Sequence, residues 1–174
     1  MTFNRHLFSS MTGEWKTPIA LFDALWEEFG GFDLDPCGMK EHHYTAHKIY
    51  QHGGHFYDGS TPALDGLRQP WYGKVFVNPP YGKAISDWVW RCWSAPTYSD
   101  PDCVLVVALL PARTDTRWWH DCVMKADEIR FLKGRLRFGD ATQGAPFPSC
   151  VVVWRSSAAI AVPEAPAGQG ALVL

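Results

Sequence analysis

The chain has little surplus charge of either sign. Lys and Arg total 16 against 18 Asp and Glu, a formal net charge of −2. That balance argues against a protein held on a polyanion by bulk electrostatics. It leaves room only for a local basic face. Paired cysteines are missing too. The five cysteines, Cys37, Cys92, Cys103, Cys122 and Cys150, form an odd set without a Cys-x-x-Cys pair. This argues against a disulfide scaffold and for a reducing compartment. Cys103 and Cys150 sit in apolar runs, where a free thiol behaves as a small hydrophobe. No apolar run is long enough to span a bilayer, and no signal-peptide pattern is read at the start. The expectation is a cytoplasmic protein with no membrane partner. There is no internal repeat, and no HExxH motif to suggest a zinc hydrolase.

What is present fits one globular domain. The 174 residues are enough for a single sizeable core, and 47% of them are hydrophobic. Aromatics are plentiful, with nine Trp, ten Phe and six Tyr. Flat stacking surfaces for nucleobases are one use for them beyond packing. Between Arg113 and Arg137, basic residues alternate with Asp115, Asp121, Asp127 and Glu128. That stretch reads as a solvated surface of mixed sign.

Alternating periodicities lay out the elements. Residues 1–12 carry no pattern and are expected to be flexible. A domain is expected over 13–156. Residues 157–174, rich in Ala, Pro and Gly, read as a partly disordered, low-complexity tail. Thr17 is a candidate N-cap and Pro18 a first helical residue, ahead of a helix to Phe29. Gly30-Gly31 ends it. Phe32 to Asp35 reads as a short strand that turns at Pro36-Cys37-Gly38. The polar, His-rich stretch 40–67 predicts a short helix near Tyr44 to Tyr50 and otherwise loop. Strands follow at Val75–Val77, Val104–Leu110, Glu128–Lys133 and Ser149–Arg155. Helices are predicted over Ala84–Trp93 and Thr114–Ala126, and a Gly- and Pro-rich loop over 134–148. The alternation predicts an α/β domain, mostly parallel, with an antiparallel edge strand. Ligands in such sheets sit beyond the carboxyl ends of the strands, where Asp35 and Asn78 fall.

The strongest chemical signal is Asn78-Pro79-Pro80-Tyr81 directly after an apolar strand. The prolines cannot continue a central strand, so the motif lies at its end. It suits methyl transfer to a conjugated amino nitrogen. Such a nitrogen is a poor nucleophile, whereas a methyl sulfonium is a strong electrophile. Catalysis then reduces to holding the nitrogen in line with the S–CH₃ bond and favouring its pyramidal form. The Asn78 side-chain oxygen and the Pro79 carbonyl can accept the two N–H groups. The prolines fix φ and keep the turn rigid. Tyr81 offers a face for a base, which must be flipped out of a duplex to reach it.

The chain resembles the phage-type DNA N6-adenine methyltransferases, the short Dam-like family of phages and prophages. The resemblance rests on Trp15-Lys16-Thr17-Pro18, Phe32 to Cys37, and Asp65-Gly66-Leu67 with Trp71. It continues through Val75 to Tyr81, Leu109 to Ala112, Lys133 to Phe138 and Pro146 to Ser149. It implies a Rossmann-like S-adenosylmethionine-dependent methyltransferase fold, DNA as partner, and a phage- or prophage-encoded enzyme in a bacterial cytoplasm. By that resemblance Thr17 and Pro18, with Trp15 beside them, border the methionine end of the cofactor. Asp35, Pro36 and Cys37 take the place of the usual cofactor loop, though only Gly38 stands where a glycine-rich turn is common. Asp65 would accept from the cofactor adenine, with Asp33 and Asp58 as candidates for the ribose. Phe147 would pack on the flipped base, and Arg135 and Arg137 would reach DNA phosphates. No metal is implied. Monomer and homodimer both stay open.

Other classes fit parts of the sequence. His43 and His47 have metal-ligand spacing on a helix within a run that includes His42, His52 and His55, so a metal-dependent nuclease is one alternative. A non-catalytic DNA-binding module is another. Within the methyltransferase class, cytosine N4, RNA bases and protein glutamine share the same amide-like chemistry. The resemblance selects DNA adenine.

Overall fold

The structure is a computed structural model, and it describes residues 15–38, 44–139 and 143–157. The proposed flexible N-terminus 1–12, nearly all of the tail and both His42 and His43 lie outside these residues. One six-stranded sheet organises the domain, in the order β2-β1-β3-β4-β6-β5. The strands are β1 (Leu34–Asp35), β2 (His55–Phe56), β3 (Gly73–Val77), β4 (Cys103–Pro111), β5 (Glu128–Phe131) and β6 (Ser149–Arg155). β2, β1, β3 and β4 run parallel, while β6 is antiparallel to both β4 and β5. The antiparallel edge is therefore a pair, with β6 one strand in and β5 outermost. This is a Rossmann-like α/β architecture.

The centre of the sheet is the most apolar part of the sequence. β4 buries every residue except Val104, and β6 every residue except Arg155. Continuous rather than alternating burial means that both faces are covered. Helix α1 (Ile19–Phe29) buries Leu21, Phe22 and Leu25, the helical spacing of an amphipathic element. It ends where Gly30 turns left-handed at φ 66°, a conformation that favours glycine. Helix α2 (Tyr44–Gln51) precedes β2, and α3 (Ile85–Ser94) follows β3.

Three expectations change. Thr17 does not cap α1. Pro18 holds the cap position, no side chain caps there, and the Thr17 hydroxyl is engaged elsewhere. The helix expected over Thr114–Ala126 is only α4 (Arg117–Asp121) followed by a 3₁₀ turn at Val123–Lys125. Trp118 and Trp119 are both buried within α4. Strand β2 falls in a stretch read as loop; its pairing to β1 is what defines it.

Candidate active site

The sequence motif lies at the carboxyl end of β3, where Val75, Phe76 and Val77 are fully buried and the chain turns at the prolines. The Asn78 amide is turned so that Nδ2 donates to the Trp15 carbonyl and, at 2.9 Å, to Thr17 Oγ1. Its Oδ1 is buried and has no partner. An unsatisfied buried acceptor costs about 1–3 kcal/mol, so native proteins rarely keep one without a use.

Tyr81 is buried, and its hydroxyl donates to the Leu109 carbonyl at 3.0 Å. That bond ties the motif to β4. Desolvation holds the phenol well above its ordinary pKa, so it stays a donor. The ring belongs to a four-ring cluster. Trp15 stacks on it at 6.4 Å between centroids and 27° between planes. Phe147 meets it edge-on at 5.5 Å and Phe138 at 6.1 Å. The face expected to be open to a base is thus shared with Trp15 in this arrangement. Three separate chain segments converge here: 15–17 before α1, 78–81 after β3, and the loop before β6.

Beside Asn78 opens a cleft lined by Trp15, Lys16, Thr17, Asp35, Cys37, Gly38, Thr45, Asn78, Pro79 and Pro80. Asp35, the last residue of β1, is 3% exposed. Its carboxylate accepts from the Cys37 N–H at 3.1 Å and the Thr45 hydroxyl at 3.0 Å. Burial pushes its pKa up to about 6 despite both bonds. Burial and the neighbouring Asp35 charge hold the Cys37 thiol well above its ordinary value, so it is not a reactive thiolate.

A second cavity, of about 160 Å³, is lined by Pro36, Cys37, Tyr57, Asp58, Gly59, Asp65, Gly66, Pro80 and Trp88. Both cavities are bounded by Cys37 and Pro80, so they adjoin. Asp65 accepts from the Leu67 N–H at 3.1 Å and pairs with Arg68 at 3.1 Å. Asp58 accepts from the Ser60 N–H and hydroxyl. Gly66 is set tightly: a Cβ there would stand 1.8 Å from the Pro36 carbonyl oxygen. The loop carrying Asp65 and Gly66 is held from behind. The Trp71 indole N–H donates to the Gly66 carbonyl at 2.8 Å, and the Trp71 amide donates to Asp100 at 3.2 Å. Arg91, ion-paired with Asp100, donates to the Gln69 carbonyl at 2.9 Å.

Most residues singled out from sequence therefore meet at one end of the sheet. Trp15, Thr17, Asp35, Pro36, Cys37, Asp65, Asn78, Pro79 and Pro80 line one cavity or the other, and Tyr81 and Phe147 join the ring cluster beside them. Pro18 lines neither cavity. Arg135 and Arg137 are exposed on a segment whose alternate residues Leu136 and Phe138 turn inward. Asp33 lies away from the cavities, accepting from the Lys74 N–H at 2.8 Å. Tyr57, Trp88, Thr45 and Gly66 were not separated from packing residues by sequence. Trp88 sits on the apolar face of α3, where spacing alone reads as core. Among the described residues, no three His, Cys, Asp or Glu side chains gather as a metal site.

The sequence model of the family described as DNA N-6-adenine-methyltransferase (Dam) matches residues 5–162. The chain belongs to this family. The Dam match spans every helix and strand described above, from α1 to β6. The chain is also similar to the DNA N-6-adenine-methyltransferase of Haemophilus phage HP1 (strain HP1c1), at 29% identity over 152 residues. That alignment covers 83% of this chain and 79% of the phage protein. No solved structure gives a significant match. Among the described residues, no helix is long and apolar enough to cross a membrane.

Proposed function

We propose that this Dam-family protein transfers a methyl group from S-adenosylmethionine to N6 of a flipped-out adenine in DNA. The observation that carries the reading is the buried, unpartnered Oδ1 of Asn78, a residue that lines the first of two adjoining cavities. The donor set fits such a cofactor. One cavity has the Asp35 carboxylate, suited to a cationic end. The other has Tyr57 and Trp88 as flat surfaces and Asp58 and Asp65 as acceptors for hydroxyl and amino groups.

S-adenosylmethionine supplies an electrophilic methyl group on a sulfonium. The protein's own task is positioning. Asn78 Oδ1 accepts one N–H of the target amino group, and the Pro79 carbonyl accepts the other. Both acceptors draw the nitrogen toward a pyramidal shape, so its lone pair leaves the ring and points at the methyl. As the N–C bond formed and the S–CH₃ bond broke, leaving a neutral thioether, the nitrogen would become cationic, and the same two oxygens would stabilise that charge. This contact is stronger in the transition state than in the ground state, which is what accelerates a reaction. The extra proton then leaves to solvent. Trp15, Tyr81, Phe138 and Phe147 would form the aromatic wall that a base displaced from the duplex packs against, and the exposed Arg135 and Arg137 would meet phosphates.

The test is direct. DNA is incubated with the protein and methyl-labelled cofactor and digested to nucleosides. Label in N6-methyl-2′-deoxyadenosine supports the proposal. Label in N4-methyl-2′-deoxycytidine, or none in any nucleoside, refutes it.

A further inference from the structure

The two ends of the Asn78 carboxamide have opposite chemistry. The NH₂ donates and the oxygen accepts. Only one orientation offers an acceptor to the target amine, so this inference rests on the function proposed above. The orientation is set from outside the motif. Nδ2 faces the main-chain carbonyl of Trp15, which has no proton to give. An amide turned the other way would place oxygen against oxygen. The second Nδ2 proton goes to Thr17 Oγ1 at 2.9 Å. Both amide protons are then engaged, and Oδ1 is left buried and unpartnered.

A Thr before a proline at a helix start ordinarily turns its oxygen onto the helix. Here no side chain caps α1, and the hydroxyl bonds Asn78 instead. The segment bearing it is fixed on both sides. Lys16 O accepts from the Gly139 N–H at 3.0 Å, and the Trp15 ring meets Phe138 at 5.1 Å. We propose that Thr17 is a positioning residue for methyl transfer. Its hydroxyl and the Trp15 carbonyl together lock the Asn78 amide so that Oδ1 faces the target nitrogen. Thr17 acts through Asn78 and does not touch the reacting atoms.

The experiment compares Thr17→Val, Thr17→Ser and Asn78→Asp in the full chain. Steady-state kinetics on adenine-containing DNA are read at saturating S-adenosylmethionine, with cofactor affinity measured separately by calorimetry. Losing one neutral hydrogen bond predicts about a tenfold fall in kcat for Thr17→Val. KM for DNA stays unchanged. Thr17→Ser keeps the hydroxyl and restores kcat, which also reports that the segment still folds. Asn78→Asp retains an acceptor but gives the Trp15 carbonyl no donor, so its kcat falls at least as far.

Wild-type kcat in Thr17→Val overturns the inference. So does a loss confined to cofactor affinity, a serine variant no better than valine, or full activity in Asn78→Asp. Full activity in Asn78→Ala sinks the acceptor reading itself, so the two failures are separable.

Discussion

Replacing Asp35 with Asn asks whether the cleft holds a charge that the fold alone would avoid. Burial raises the Asp35 carboxyl from its ordinary 3.8 to about 6, outweighing the bonds from Thr45 and Cys37. The folded protein therefore holds this proton more tightly than the unfolded chain does. The resulting stabilisation is complete below pH 3.8 and disappears as pH rises through about 6. At about 1.4 kcal/mol per pH unit, the gap amounts to roughly 3 kcal/mol by neutral pH. The amide of Asp35→Asn keeps both contacts. Its oxygen accepts from the Cys37 N–H, and its NH₂ donates to the Thr45 hydroxyl. Urea unfolding of both proteins between about pH 4 and pH 7 gives the difference free of other carboxyls. Those others pull the opposite way: Asp23, held low chiefly by Lys48, and Glu128, where burial is outweighed by Arg130 and Arg155. The variant is expected to gain on wild type as pH rises, by up to about 3 kcal/mol. Its affinity for S-adenosylmethionine is expected to fall, the usual exchange of function for stability at a site. A flat or inverted difference would refute the buried-charge argument. Unchanged cofactor affinity would remove Asp35 from the site.

Tyr81→Phe loses the bond to the Leu109 carbonyl but keeps the ring, and about 1 kcal/mol of stability is expected to go. Tyr81→Ala removes the ring from the four-ring cluster and is expected to lose about 3 kcal/mol or more, together with most turnover. Equal turnover in the two variants would show that the ring has no part in the reaction. Gly66→Ala places a methyl group against the Pro36 carbonyl, and calorimetry is expected to show weakened cofactor binding with β4 and β6 intact by hydrogen exchange. Arg91→Ala leaves Asp100 buried without its cation, and denaturant unfolding is expected to show a loss of about 3–5 kcal/mol.

The fold and the motif corner were legible because their signals are local. β4 and β6 are unbroken apolar runs, α1 has helical spacing closed by Gly30, and the prolines after Val77 can stand only at a strand end. What sequence missed depends on distant partners. β2 is two residues long and exists by pairing with β1. Thr17 meets the local rules for a cap, but its bond to Asn78 spans 61 positions, and nothing nearby announces it. Trp88 repeats the spacing of a core residue, and the cavity it borders forms only when β1, β2 and α3 come together. Tyr81 was legible as an aromatic beside the corner, but its burial under Trp15 was not. That contact joins the segment before α1 to the motif after β3.

At Gly66 two stretches of main chain touch with nothing between them. Side chains around the rim can drift through successive substitutions, and the pocket's polarity and reach can drift with them. The gauge of the pocket at that wall has no such freedom, since no residue larger than hydrogen can be tried there without moving one backbone off the other. On the function proposed above, lineages carrying this fold would alter which DNA they address far more readily than they would widen the proposed seat of the methyl donor.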